Sequence, residues 1–190
     1  MGSDPGLPLS LSASDFVLFQ LPEQYEQDPA LIDERRRVLQ SQVHPDRFAA
    51  QGAAAQRVAM QWSTRVNEAW RRLKDPLQRA AYLCELRGVP IEAESNTRMP
   101  GAFLMQQMHW REALEESGTA AEVADLEDRV RAEFRAMQAR LGELIDGGSP
   151  STVGTNPVLP DLSAAAQQVR ALMFVQRFLQ DIARKAESLD

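Results

Sequence analysis

The stretch Leu39-Gln-Ser-Gln-Val-His-Pro-Asp46 lies where a helical pattern ends abruptly. Pro45 cannot continue a helix, because it has no N–H and its ring clashes with the preceding turn. Before it, apolar residues fall on one side of a 3.6-residue wheel and predict a helix that starts at Pro29, namely Leu31, Ile32, Val38, Leu39 and Val43. The sequence therefore predicts a displayed turn of His44, Pro45 and Asp46 at the end of this helix.

The helical pattern resumes after a loop of about nine residues that ends at Gly52 and Ala53. An apolar stripe then predicts a helix up to Lys74, through Ala59, Trp62, Val66, Ala69, Trp70 and Leu73. This helix can pack against the preceding one as an antiparallel hairpin. A short first helix is expected after Ser14-Asp15, ended by Pro22, and a fourth from Pro76 to Arg87, closed by Gly88.

A second helical region follows residues 89–101, whose Pro, Ser, Asn and Gly content predicts a linker. Three amphipathic patterns then indicate a three-helix bundle over 102–190, with helices at 102–116, 120–145 and 162–189. Residues 14–88 form the expected first domain, and residues 1–13 a flexible leader. Because no strand-like alternation occurs, the predicted fold class is all-α.

Charge and composition exclude several functions. The formal net charge is −6 over 190 residues, which argues against binding to nucleic acid or to anionic membranes. No run of eighteen apolar residues and no secretory signal are found, so we expect a cytoplasmic protein without a membrane partner. The single cysteine, Cys84, has apolar neighbours and is expected to be a buried thiol.

By local chemistry alone, Pro45 would merely end a helix and Asp46 would cap a turn. However, the segment Asn67-Glu-Ala-Trp-Arg-Arg-Leu-Lys-Asp-Pro76 is similar to the third-helix signature of J-domains. This resemblance implies that His44, Pro45 and Asp46 trigger ATP hydrolysis in a DnaK-type chaperone, with no catalysis and no cofactor in this chain. Basic residues beside the turn are further candidates for the chaperone contact: Arg36, Arg37 and Arg47.

The segment Arg79-Ala-Ala-Tyr-Leu-Cys-Glu-Leu-Arg-Gly88 resembles the iron–sulfur co-chaperones called HscB, as do residues 102–116 and 169–178. The resemblance implies that the second domain binds an IscU-type scaffold protein and delivers it to an HscA-type chaperone. The implied binding face consists of Leu104, Met105, Met108, Glu112, Glu116, Phe174 and Phe178. His109 stands where the bacterial family often has Glu.

Three alternatives remain open. The apolar residues of the implied face could instead fill the bundle core, although Phe103, Trp110 and Leu114 form a separate stripe suited to it. A J-protein for general unfolded clients is possible, but the Gly/Phe-rich linker and zinc domain of that class are missing. A metal protein or enzyme using His44, Cys84 and His109 is disfavoured by their spacing, and no metal is expected.

Overall fold

The computed structural model describes residues 10–92, 99–147 and 159–189. In these ranges the chain is helical and contains no strand, which confirms the predicted all-α class. Residues 1–9 of the predicted leader and 93–98 of the predicted linker lie outside the described residues. The α-helices are α1 Asp15–Phe19, α2 Pro29–Val43, α3 Ala53–Lys74, α4 Pro76–Leu86, α5 Gly101–Glu116, α6 Ala120–Asp146 and α7 Leu162–Glu187.

A 3-10 helix, Pro45–Gln51, occupies most of the segment that the sequence predicted to be a loop. Pro45 stands at its first turn, where a missing N–H costs nothing, and Phe48 is buried beneath it. Gly52 follows with φ 92°, a left-handed backbone that disfavours residues with a side chain. The segment between α2 and α3 is thus ordered helical structure with its own apolar anchor.

The chain divides into two compact units, Met1–Arg79 and Ala80–Asp190. The division falls inside α4, so the second half of this helix groups with the C-terminal helices. The domain limits 14–88 and 102–190 inferred from the sequence stay a prediction. Each unit is described by itself.

In the first unit, α2 and α3 pack side by side as an antiparallel hairpin. Their direction follows from the cross-helix hydrogen bonds, in which Gln40 meets Ser63 while Arg36 meets Asn67. The hairpin core and α1 bury large apolar side chains, including Phe16, Phe19, Ile32, Leu39, Val43, Trp62, Val66 and Leu73. The predicted hairpin is confirmed.

A buried carboxylate fastens α1 to α3. Asp15 is 0% exposed, and its oxygens lie 2.6 Å from Nη2 of Arg65 and 3.0 Å from Nη1 of Arg72. A buried charge is tolerated only with such partners, because it has given up its hydration. The two arginines therefore fix α1 across the hairpin that carries the His-Pro-Asp turn.

In the second unit, α6 and α7 form the main helix pair, and α5 packs on both. Their shared core includes Val123, Leu126, Val130, Leu141, Ile145, Val169, Leu172, Val175 and Ile182. The guanidinium of Arg87 donates to the carbonyl of Ile145 at the end of α6. Arg170 on α7 donates to the carbonyl of Ile91 at 3.0 Å, so the chain that leaves α4 is bound to both long helices.

Candidate functional site

The His-Pro-Asp turn begins directly after α2, at His44. His44 caps the 3-10 helix, because its Nδ1 accepts a hydrogen bond from the backbone N–H of Asp46 at 3.3 Å. In the neutral ring the proton must then reside on Nε2, which becomes a donor. The side chains of His44 and Asp46 are 55% and 90% exposed, so a partner has access to both.

Arg47 holds this turn against the end of α2. Its Nη1 donates to the carbonyl of Ser41 at 2.8 Å, where the last turn of a helix leaves carbonyls unpaired and favours a cation. The sequence assigned Arg47 to the chaperone contact, and its side chain is indeed exposed. The structure gives it an additional tethering contact.

The basic residues of α2 differ in how they are held. Arg37 is exposed, whereas Arg36 is half-buried, with Cζ 3.9 Å from the ring centroid of Trp70 and Nη2 3.1 Å from Oδ1 of Asn67. The indole Nε1–H of Trp70 donates to Asp33 at 2.8 Å, and Lys74 lies 2.5 Å from the same carboxylate. The hydrogen bonds from Lys74 and then from Trp70 hold the pKa of Asp33 below its ordinary value.

Val38 and Trp70 do not lie where the wheel placed them. Val38, assigned to the buried stripe of α2, is 45% exposed. The buried sector of α2 is narrower than predicted and contains Ile32, Leu39 and Val43, so Val38 lies at its margin. Trp70, assigned to the core stripe of α3, is only half-buried, because its ring covers the hairpin surface beside Arg36.

The second candidate surface lies on α5. Leu104, Met105 and Met108 are 46%, 56% and 55% exposed, and further along the helix Glu112 and Glu116 are exposed too. Phe103 and Trp110 are each only 9% exposed. The two predicted stripes of this helix are therefore separate in the structure.

An aromatic cluster supports this surface from below. The ring centroid of Phe103 lies 6.5 Å from the ring centroid of Trp110 and 6.1 Å from that of Phe174. Phe174 is half-buried and reaches the surface, but Phe178 is only 3% exposed and stacks on Trp110 at 6.0 Å. Phe178 was predicted to contact a partner, and the structure corrects this: it fills the core under Trp110.

Cys84 is fully buried, as predicted. Burial raises the pKa of its thiol to about 11, which keeps the sulfur protonated and unreactive at neutral pH. Among the described residues, no three His, Cys, Asp or Glu side chains lie close enough together to hold a metal ion. Within the same ranges, every helix is too short or too polar to cross a membrane.

A helical hairpin that displays His-Pro-Asp at its turn, followed by a bundle of α5, α6 and α7, defines a J-domain co-chaperone. Residues 99–183 match the family model described as the HSCB C-terminal oligomerisation domain. A co-chaperone protein HscB homolog from Burkholderia thailandensis is 49% identical over 185 residues, which are 96% of this chain and 99% of the relative. The chain belongs to the HscB family of co-chaperones, which are not enzymes.

Solved structures show the same fold. Chaperone HscB from Vibrio cholerae matches with a TM-score of 0.75 and 31% identity over 94% of this chain and all of that one. Human co-chaperone HscB matches with a TM-score of 0.81 and 23% identity over 93% of this chain and 84% of that one. The hairpin and the helical bundle are therefore the family's architecture.

Proposed function

We propose that this chain stimulates the ATPase of a DnaK- or HscA-type chaperone and delivers to it an IscU-type iron–sulfur scaffold protein. Both steps take place in the cytoplasm. The observation that carries the proposal is the exposed turn of His44, Pro45 and Asp46, fixed at the end of α2 and accessible to a partner.

The turn can bind a partner through two complementary groups. The carboxylate of Asp46 accepts charge-assisted hydrogen bonds from an arginine of the chaperone, and Nε2–H of His44 donates one. Pro45, the cap by His44 and the tether from Arg47 hold the turn in one shape. Docking therefore costs little conformational entropy, and the ATP chemistry belongs entirely to the chaperone.

The face of α5 supports the scaffold-binding step. Leu104, Met105 and Met108 expose apolar surface, which normally marks a contact site when it is contiguous. Phe174 adds aromatic surface, and Glu112 and Glu116 extend the face with negative charge. A partner with an apolar patch beside basic residues would complement this surface.

The decisive experiment replaces His44 by Gln and measures chaperone ATPase rates in the presence of scaffold protein. We expect His44→Gln to abolish stimulation while leaving scaffold binding intact, because the two surfaces belong to different units. A denatured model client serves as the control for a general J-protein, and it should not replace the scaffold. Full stimulation by the variant would falsify the proposed role of the turn.

A further inference from the structure

The hairpin unit has a surface groove that is lined by residues of α2 and by one aromatic side chain from α3. It is lined by Ala30, Asp33, Arg36, Arg37, Gln40 and Trp70. Trp70 is unusual among them, because a large apolar ring is left half-buried while other aromatic residues of the hairpin unit, such as Phe16, Phe19 and Trp62, are buried. A partly exposed indole held by hydrogen bonding points to a role at the surface.

The indole of Trp70 is fixed from the α2 side. Its Nε1–H donates to Oδ1 of Asp33 at 2.8 Å, and Asp33 is itself held through Oδ2 by Nζ of Lys74 at 2.5 Å. Lys74 also donates to the carbonyl of Pro29 at 3.3 Å, which ties it to the first turn of α2. The ring plane is therefore set by contacts that span both helices of the hairpin.

The fixed ring in turn orients Arg36. The guanidinium Cζ lies 3.9 Å from the ring centroid, and Nη2 donates to Oδ1 of Asn67 on α3. Stacking uses the face of the guanidinium plane, whereas its N–H donors project from the edge. The remaining edge donors stay available for a carboxylate while the side chain is held in one conformation.

Arg37, the next residue along α2, provides the contrast. It is exposed, and within the described ranges its side chain forms no hydrogen bond or ion pair. A long side chain that is free in solution loses rotamer entropy on binding, whereas one that is already held loses little. Two adjacent arginines of equal charge should thus differ in what they contribute to docking.

We propose that Trp70 is a positioning residue for the chaperone contact: it holds Arg36 in the conformation that binds a carboxylate on the chaperone. This inference rests on the proposed function and deepens it. Trp70 itself does not need to touch the chaperone. Arg37 contributes charge only, and its contribution is independent of Trp70.

A double-mutant cycle tests this coupling. The half-saturating concentration for ATPase stimulation is measured for the full chain and for Trp70→Leu, Arg36→Ala and the double variant, with Arg37→Ala as the matched control background. A cation–π contact at a partly exposed site predicts that Trp70→Leu weakens the interaction about three- to fivefold. In the Arg36→Ala background the same change should have no further effect, and in the Arg37→Ala background it should keep its full effect.

A second measurement reads the geometry without the chaperone. In the parent, the Arg36 side-chain NMR signals should be shifted by the ring current of Trp70, and they should move to ordinary positions in Trp70→Leu. Trp70→Phe retains a ring without the indole N–H, so a partial shift is expected even if the leucine variant folds poorly. Equal weakening by Trp70→Leu in both arginine backgrounds, or unshifted Arg36 signals in the parent, would overturn the inference.

The two proposals fail in different ways. If His44→Gln stimulates as well as the parent, the proposed function itself is wrong and the inference falls with it. If stimulation depends on His44 but the effects of Trp70 and Arg36 simply multiply, the function stands and the positioning role is wrong.

Discussion

His44 is in a position to take part in two interactions through its two ring nitrogens. Nδ1 accepts from the N–H of Asp46 and so starts the 3-10 helix, which leaves Nε2 as the donor to a partner. Replacing His44 by Asn can separate these two interactions. The Asn side chain has an oxygen close to where Nδ1 lies but no atom at the position of Nε2. The cap and the recognition of the chaperone are therefore distinguishable properties.

We predict that His44→Asn keeps the turn but loses stimulation. Asn is among the best capping residues, so the unfolding free energy of the His44→Asn variant should stay within about 0.5 kcal/mol of that of the parent. His44→Ala removes the cap as well and should cost about 0.5–1 kcal/mol. Chemical denaturation and ATPase assays on both variants check this, and equal stability of the Ala and Asn variants would mean that the cap contributes nothing.

Individual residues also show the limit of reading a helical wheel. The wheel identified buried positions such as Ile32 and Leu39 correctly, but it placed Val38 and Trp70 inside. The family resemblance, in turn, implied that Phe178 lies at a binding surface. A wheel gives the direction of a side chain and not the width of the neighbouring helix or the depth of the bundle beneath it. Whether Phe178 is covered depends on Trp110, which lies 68 positions earlier in the sequence and on another helix.

At the scale of the element, α5 presents two faces with different partners. Phe103 and Trp110 bind it to the unit's core, whereas Leu104 and Met108 face away from that core. A polar substitution on the face that packs against the core should lower stability. A polar substitution on the face that contacts a partner should lower binding affinity and leave stability nearly unchanged. The helix therefore permits a direct test of the scaffold-binding surface.

We predict that Leu104→Ser together with Met108→Ser weakens scaffold binding by at least about tenfold. Each apolar side chain buried on association contributes about 1.5–3 kcal/mol, and tenfold corresponds to about 1.4 kcal/mol. Stability should fall by less than about 1 kcal/mol, from helix propensity alone. Met60→Ser, at a residue 60% exposed on α3, is the control and should bind normally. Unchanged scaffold affinity in the double variant would remove α5 from the interface.

The start of α6 is set by a reciprocal cap that the sequence analysis did not identify. The Thr119 side chain accepts from the N–H of Glu122, while the Glu122 carboxylate accepts from the N–H groups of Gly118 and Thr119 at 2.9 and 3.0 Å. The signal was present in the sequence as Thr followed three residues later by Glu. These hydrogen bonds, first of all the one from the N–H of Gly118, lower the pKa of Glu122 in the folded state.

This cap predicts a pH-dependent part of the unfolding free energy. A carboxyl whose folded pKa is depressed stabilises the protein above its unfolded pKa, here about 4.5, and the stabilisation is lost as pH falls through the folded pKa. Glu122→Gln should therefore make the acid side of the stability profile shallower, with little further change above pH about 6. Denaturation curves across pH measure this, and parallel profiles for parent and variant would contradict it.

The whole molecule is acidic, yet its proposed chaperone contact is locally basic. The net charge of the chain is −6, so the arginines beside the turn can attract an acidic chaperone surface only at short range. Salt should screen this attraction strongly. Electrostatic complementarity of exposed charges affects the rate of association more than the lifetime of a complex.

We predict that association with the chaperone slows as salt rises from 0.05 to about 0.5 M, and that Arg37→Glu slows it at low salt and flattens this dependence. Arg140→Glu, an exposed residue of α6, changes the net charge equally and should leave the rate near that of the parent. Stopped-flow association rates distinguish the two variants. Identical rates for both would show that only total charge matters.

Most helices could be predicted because start and stop signals are present in the sequence. For α2 these signals are the N-cap Asp28 and Pro29 at the first helical position, and the helix starts at Pro29 as expected. Local signals were weaker for α1, which ends at Phe19 with Gln20 in a left-handed conformation, before the predicted stop at Pro22. The division of the chain within α4 had no local signal at all. It depends on contacts between residues far apart in the chain, and one sequence does not contain that information in a readable pattern.

The chain between α4 and α5 has a consequence for anyone who wishes to cut this protein in two. Arg87 donates to the carbonyl of Ile145 and to the carboxylate of Asp146 at the end of α6. Ile91 is 4% exposed, and Arg170 on α7 donates to its carbonyl. The composition suggests a cut at Pro100. A fragment that starts there would lack the segment with the buried Ile91 and would leave Arg170 without its acceptor. A fragment that starts at Pro76 retains this segment. The shorter fragment is therefore the poorer choice for crystallisation or for binding assays.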